Sequence, residues 1–413
     1  AESAVELYEK LGDKRNAVAM HLQIQVLYGW QWDGAREDWG LKHLEAAAAL
    51  VEDNPDSVEK GLVHQRTGHL YLHRAEPTTT LAWAQRAVDM FARLGVQMGT
   101  SLGTALTYMG RIDEGVAYSE KNWEPVRKGA IPVVMAVMGH ELSLTLALAR
   151  DVPRATEWGE RVLPEVVKTS PVFEAMLRRP LALIYALAGD VAKADETCQA
   201  VERIEAKTLL GCIYEDAAGI GFHYLRRGEW EKARDYLERA IPLYEERSNL
   251  SALSMCALVL GSLNLEMGNF PRAEELLLRS LEISQKGSNV LVELWVLPAL
   301  AELALKTGRP DRAAAHVKRG FELLTPDRNW YGLPAPMWLA KGMLAGAKGK
   351  WDEAATSFEK AIAITRQYRL PSDEAKALLE WGLMHLARGQ AGDRQSGEKK
   401  LGASLDIFQR VGA

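Results

Sequence analysis

Along residues 231–246 the apolar side chains fall at Ala233, Tyr236, Leu237, Ala240, Ile241 and Tyr244. That i, i+3, i+4, i+7, i+8, i+11 spacing is one stripe of an amphipathic helix. Just upstream, Cys212, Ile213, Ala217, Ile220, Tyr224 and Leu225 form a second stripe of the same kind, and a short polar turn at Gly228 separates the two. No window sustains a period of two, and no Asn-Gly pair marks a hairpin, so the pattern predicts helices and no sheet.

The helix pair recurs. Comparable turns fall at Gly110, Arg150, Gly189, Gly228, Gly268, Gly308, Gly349 and Gly389, in steps of 40, 39, 39, 40, 40, 41 and 40 residues, with weaker copies at Ala75 and Gly34. Five residues after most turns stands a small residue: Gly115, Ala155, Ala194, Ala233, Ala273, Ala313, Ala354. Seven residues before them stands another: Gly68, Gly103, Ser143, Ala182, Gly221, Gly261, Ala301, Gly342, Gly382. Small residues at matched places let two successive helices approach closely, with bulky neighbours filling the grooves beside them. The expected unit is helix, tight turn, helix, stacked about ten times into a solenoid.

The sequence small residue, then Gly-x-aromatic-x-x-Ala, then Ala, resembles the tetratricopeptide repeat. "IGFHYLRRGEWEKARDYLERAI" and "LGSLNLEMGNFPRAEELLLRSL" carry it best, and the likeness covers almost the whole chain. The 40-residue period is similar to the long-helix variant of kinesin light chains and of C-terminal regions in bacterial signalling ATPases, which accompany adenylate or guanylate cyclase or LuxR-type domains. The resemblance implies an all-α solenoid, a right-handed superhelix of helix-turn-helix units. On this reading residues 1–28 are a partial repeat, 29–390 the regular repeats and 391–413 a C-terminal capping helix. The opening "AESAVELYEKLGDK" reads as a second helix lacking its partner, with Val5, Leu7, Tyr8 and Leu11 on an uncovered face.

In tetratricopeptide superhelices the first helix of each hairpin lines a concave groove. With the small residue as position eight, positions two, five, nine, twelve and thirteen are expected to face inward. The candidate binding residues are then Arg66, His69, His73, Thr104, Tyr108, His140, Arg179, Glu215, Phe222, Arg226, Trp295, Glu302 and Lys306. The early part, rich in Arg and His, suggests an anionic or aromatic-bearing ligand and a stripe that gains positive charge below neutral pH. The Lys and Asn clamp by which chaperone-binding members hold a carboxylate is absent, since no Asn stands at the ninth positions His69, Thr104, Leu144, Leu183, Phe222 and Ser262.

Composition narrows the reading. The 413 residues are 47% apolar and 25% charged, which excludes disorder, and a net charge of −5 gives no reason to expect nucleic acid or a membrane surface as partner. Cys198, Cys212 and Cys256 cannot form a disulfide framework and read as free thiols in a reducing cytoplasm. "AESAVELYEK" has no signal-peptide pattern. The apolar window 131–149 is interrupted by Pro132, His140 and Glu141, which favours a buried helix over a membrane span.

Chemistry-bearing motifs are sparse. "GMLAGAKGKW" at 342–351 lacks phosphate-loop spacing, and "HELSL" at 140–144 lacks the second His of a zinc helix. His69 and His73 share a helical face without a third ligand, so no metal or other cofactor is expected. Twelve tryptophans admit an α/α-toroid carbohydrate-active enzyme. Trp230 and Trp351 occupy the aromatic slot of the turn, however, Trp381 adjoins the small-residue slot, and Trp30, Trp32 and Trp39 cluster in the weak first repeat. The expectation is a non-enzymatic, cytoplasmic, bacterial binding solenoid acting in signal transduction. Its groove would take a protein or peptide segment, or a small anionic effector, and signal to upstream domains of the same parent chain. A structural scaffold that self-associates is the alternative.

Overall fold

The computed structural model describes residues 2–26, 37–96, 98–99, 101–129, 132–205 and 217–413. The turn at Gly34, Trp30, Trp32, Cys212, Ile213 and Glu215 lie outside them. Among the described residues there are 21 α-helices and no strand. After α1 (Glu2–Lys10) come ten hairpins: α2 (Lys14–Val26) with α3 (Glu37–Val51), α4 (Val58–His73) with α5 (Pro77–Arg93), α6 (Leu102–Tyr108) with α7 (Ile112–Gly129), α8 (Pro132–Leu148) with α9 (Val152–Val167), α10 (Pro171–Ala188) with α11 (Val191–Glu205), α12 (Ala217–Arg227) with α13 (Trp230–Glu246), α14 (Leu250–Glu266) with α15 (Phe270–Gly287), α16 (Val290–Lys306) with α17 (Pro310–Leu323), α18 (Pro334–Ala347) with α19 (Trp351–Gln367), and α20 (Pro371–Arg388) with α21 (Asp393–Arg410). Of the segments set apart at the ends, 1–28 holds α1 and α2, and 391–413 holds α21, which packs along α20 as the second helix of a hairpin.

The turns fall where the glycines are. Gly110, Gly189, Gly228, Gly268, Gly308, Gly349 and Gly389 all have left-handed φ, between 66° and 79°. The conformation is needed because the chain must reverse within one residue while the last carbonyls of the first helix stay bonded. At Gly228, its amide donates to Leu225 O at 3.1 Å and the Glu229 amide to Tyr224 O at 3.0 Å. Arg150 takes the same conformation with φ 59° and the same bonding pattern. A side chain there costs about 1–2 kcal/mol relative to glycine, so an arginine needs a compensating interaction.

Close approach explains the small residues. Ala155, Ala194, Ala233, Ala273, Ala313 and Ala354 are fully buried, as are Ser143, Ala182 and Ala301 on the first helices. A Cβ added at Gly221 would lie 2.6 Å from Leu237, and one at Gly261 would lie 2.9 Å from Leu277, its partner in α15. The expected helix contact is therefore where the register put it.

Successive turns of the superhelix touch. The Ala75 carbonyl, at the end of α4, abuts Gly287 so closely that a Cβ there would collide with it. Arg328 donates to Met109 O at 3.2 Å, beyond the end of α6. Trp295 Nε1 donates to Leu148 O at 2.7 Å, at the end of α8. Each time, the end of one first helix meets chain that lies four to six hairpins later. The ten-residue connection 324–333 makes much of this contact: Tyr331 OH donates to Asp113 and accepts from Arg154 at 3.2 Å.

α1 leaves Leu7 and Leu11 exposed while Val5 is buried against α2, so the expected uncovered face is confined to one side of the helix.

Candidate binding cavity

The first helices supply an inner surface of two unlike halves. In the half formed by α4, α6 and α8, the space closes to about 60 Å³ among His69, His73, Thr104, Tyr108, His140, Glu141 and Met176, capped by Asn249 and Ser251 at the start of α14. In the half formed by α12, α14, α16, α18 and α20, it opens to about 610 Å³. That volume lies in the range of ligand pockets.

The large cavity follows the register closely. α12 contributes Phe222, Leu225 and Arg226; α14 contributes Leu258, Ser262, Leu265 and Glu266; α16 contributes Trp295, Pro298, Glu302 and Lys306. In α18 the second, fifth and ninth positions, Pro336, Leu339 and Met343, line it, and in α20 the second and fifth, Lys376 and Leu379. Position six lines it as well, through Val259, Ala299, Ala340 and Glu380. A helical stripe running two, five, nine, twelve must include either five or six on each turn, and the five-position rule omitted the latter.

Of the sequence-predicted residues, Phe222, Arg226, Trp295, Glu302 and Lys306 meet here, whereas His69, His73, Thr104, Tyr108 and His140 meet in the small pocket. The expected continuous stripe is thus divided. Arg66 and Arg179 line neither space. Arg66 stands at position six of the register, and position five is Gln65, whose amide donates to Gly99 O. Arg179 is buried, 2% exposed, and donates to Glu205 at 3.1 Å. It serves the packing of α10 on α11.

Arg150 was not among the candidates because a turn position carries no groove register. Its left-handed backbone sends the side chain over the Trp295 ring, 4.0 Å from the centroid, and into an ion pair with Asp373. Arg226 holds the other carboxylate oxygen of Asp373 at 2.6 Å and lies over Phe222. Burial alone would raise the Asp373 pKa, but Arg150 and Arg226 outweigh it and hold the group below the ordinary carboxylate value. These pairings supply the compensation that an arginine in a glycine conformation requires.

One turn further along α20 lies a second charge cluster. Lys376 donates to Glu302 at 2.7 Å and to Glu266 at 3.3 Å, and Lys306 reaches Glu302 at 3.0 Å. Burial opposes charge on both sides, yet the pairing lowers the Glu302 pKa and raises that of Lys376. Glu380 behaves differently: burial first, then the neighbouring Glu302, push its pKa up.

In the small pocket, His69 Nε2 and His73 Nε2 are 2.9 Å apart and Thr104 donates to Glu141 at 2.7 Å. Burial, then His73, Arg66 and His140, push the His69 pKa well below 6.5. The expected gain of positive charge below neutrality therefore does not extend to His69. Among the described residues, no group of three or more His, Cys, Asp or Glu could hold a metal, and no helix is long and apolar enough to cross a membrane.

Tetratricopeptide-repeat family models match residues 209–286, 253–325 and 335–368. Among solved structures, the Rap protein complexed with competence and sporulation factor is similar at 11% identity, with a TM-score of 0.59 over 86% of this chain and 100% of that one. Aspartyl phosphate phosphatase F from Bacillus subtilis is similar at 9% identity, with a TM-score of 0.49 over 87% of this chain and 96% of that one. No curated protein sequence matches.

Proposed function

We propose that this chain, whose repeats match tetratricopeptide-repeat models, works by binding an extended protein segment in the cavity of about 610 Å³ between α12 and α20. The observation that carries this reading is the cavity itself. Five successive first helices keep their inward positions facing one open space, lined by apolar Leu258, Leu339, Met343 and Leu379 with charged groups at fixed points. Repeat solenoids offer such surfaces to segments rather than to reacting groups. The Rap protein of similar fold is complexed with competence and sporulation factor, which supports a binding role. A small anionic effector is the weaker choice, because Arg66, Arg179 and His69, which suggested it, lie outside this cavity. Occupancy would be passed on through the contacts between superhelical turns, which Arg150 and Asp373 join. Signalling in a bacterial cytoplasm, to other domains of a longer protein, follows from the family resemblance.

The test is selection of random extended segments from a display library on wild type and on Ser262→Phe, whose ring would occupy the cavity. Wild type should enrich a consistent set, and Ser262→Phe should lose it at least tenfold with an unchanged melting temperature. Equal enrichment by both proteins would exclude the cavity as the site. A self-associating scaffold is the second reading, favoured by exposed leucines on and just after α1 (Leu7 56%, Leu11 69%) and on α20 and α21 (Leu383 45%, Leu386 43%, Leu405 56%). Sedimentation showing association at micromolar concentration would support it.

A further inference from the structure

We infer that the segment bound in the large cavity carries a basic side chain, lysine or arginine, and that Glu380 receives it; this rests on the cavity being the binding site. Glu380 lines the cavity and is half-buried, yet among the described residues it has no hydrogen-bond or ion-pair partner. A carboxylate taken partly out of water and left unpaired is unfavourable unless a donor is supplied from elsewhere.

The protein's own cations cannot supply it. On this wall two lysines face three carboxylates. Lys376 is held between Glu302 at 2.7 Å and Glu266 at 3.3 Å, and Lys306 is held by Glu302 at 3.0 Å. Turning either lysine to Glu380 would strip a partner from Glu302, which is nearly buried at 7% exposure. At the start of the same helix, one turn before Lys376, the balance is reversed, with Arg150 and Arg226 sharing Asp373 as their acidic partner there. The lining is therefore neutral in sum but polar in arrangement, with one surplus negative charge beside α20 and one surplus positive charge beside α8 and α12. A cation entering from the ligand satisfies the first and is repelled by the second. Leu339, Met343 and Leu379 flank the approach to Glu380, so the basic residue would sit between apolar neighbours of the segment. Such a charge-assisted contact is stronger than a neutral hydrogen bond, and a like-charged group at the same place is repelled.

The experiment uses a positional-scanning library of N-acetylated, C-amidated pentapeptides, which removes terminal charges, on the full chain. Wild type should prefer Lys or Arg at one position at least fivefold over Gln and Glu. Glu380→Gln should bind the same apolar residues and lose that preference, and Glu380→Lys should reverse it toward Asp or Glu. Because Glu380 has no partner to lose, both variants should melt no lower than wild type, which separates a recognition effect from unfolding. Pentapeptides that bind wild type with no basic preference, or a preference unchanged in Glu380→Gln, would overturn the assignment and leave the cavity reading standing. Absence of binding by every pentapeptide, together with failure of the display selection, would overturn both.

Discussion

The two halves of the inner surface are built by one rule and end differently. Around α4, α6 and α8 the inward positions carry His69, His73, Tyr108 and His140, and the start of α14 packs down on them, leaving about 60 Å³. Around α12 to α20 the same positions carry Ser262, Pro298, Pro336 and Met343, and among the described residues no other first helix lines the space, which stays open to about 610 Å³. The repeat therefore sets which side chains face inward, but not whether that face is free. Freedom depends on which later helix arrives opposite, and that is fixed by the curvature accumulated over four to six hairpins.

This contrast can be broken at the joint that holds the turns together. Arg150→Ala would leave the partly buried Asp373 with Arg226 alone. Removing one member of a buried ion pair costs about 3–5 kcal/mol, offset by about 1–2 kcal/mol of relieved left-handed strain if glycine is used instead. Denaturant unfolding should rank Arg150→Ala below Arg150→Gly and both below wild type. Wild-type stability in Arg150→Ala would mean that the contact between turns does not hold the cavity's shape.

The helix contacts within hairpins give the next effect. Gly221→Leu and Gly261→Leu should lose about 1–3 kcal/mol by overpacking against Leu237 and Leu277. Gly228→Ala and Gly268→Ala have open space around the added methyl and should lose only the left-handed penalty, about 1 kcal/mol. Melting temperatures that failed to separate the two pairs would contradict the assignment of their roles.

These comparisons also mark what was legible in the sequence. The turns, the close contacts and the inward register were, because each is a local demand for a small side chain or a left-handed backbone recurring every 40 residues. Phe222, Arg226, Trp295, Glu302 and Lys306 line one cavity for that reason. Arg150 and Asp373 were not, since their pairing joins residues 223 apart, across superhelical turns. Nor was the burial of Arg179, whose partner Glu205 belongs to the neighbouring helix and follows no groove register. Glu380 could have been found by extending the stripe to position six.

A smaller effect distinguishes the filled half. His69 faces His73 and Arg66 on its own helix, Ser101 and Thr104 on or beside α6, and His140 and Glu141 on α8. Its folded pKa lies well below its unfolded value, so the unfolded chain binds more protons and stability is lost as pH falls below about 6.5. Glu141, raised by burial, acts in the opposite sense nearer its own titration. Between pH 7 and 6, His69→Gln should flatten the stability profile by up to about 1 kcal/mol per pH unit relative to wild type. Identical slopes would show that His69 is not held neutral.

The division between a filled and an open half is tested most directly by methionine methyl resonances, because Met176 lines the small pocket and Met343 the large one. With ¹³C-methyl-labelled protein titrated with a peptide obtained from the display selection, the Met343 signal should shift saturably while Met176 stays in place. A saturable shift at Met176 with Met343 unmoved would place the ligand in the other half and contradict the account.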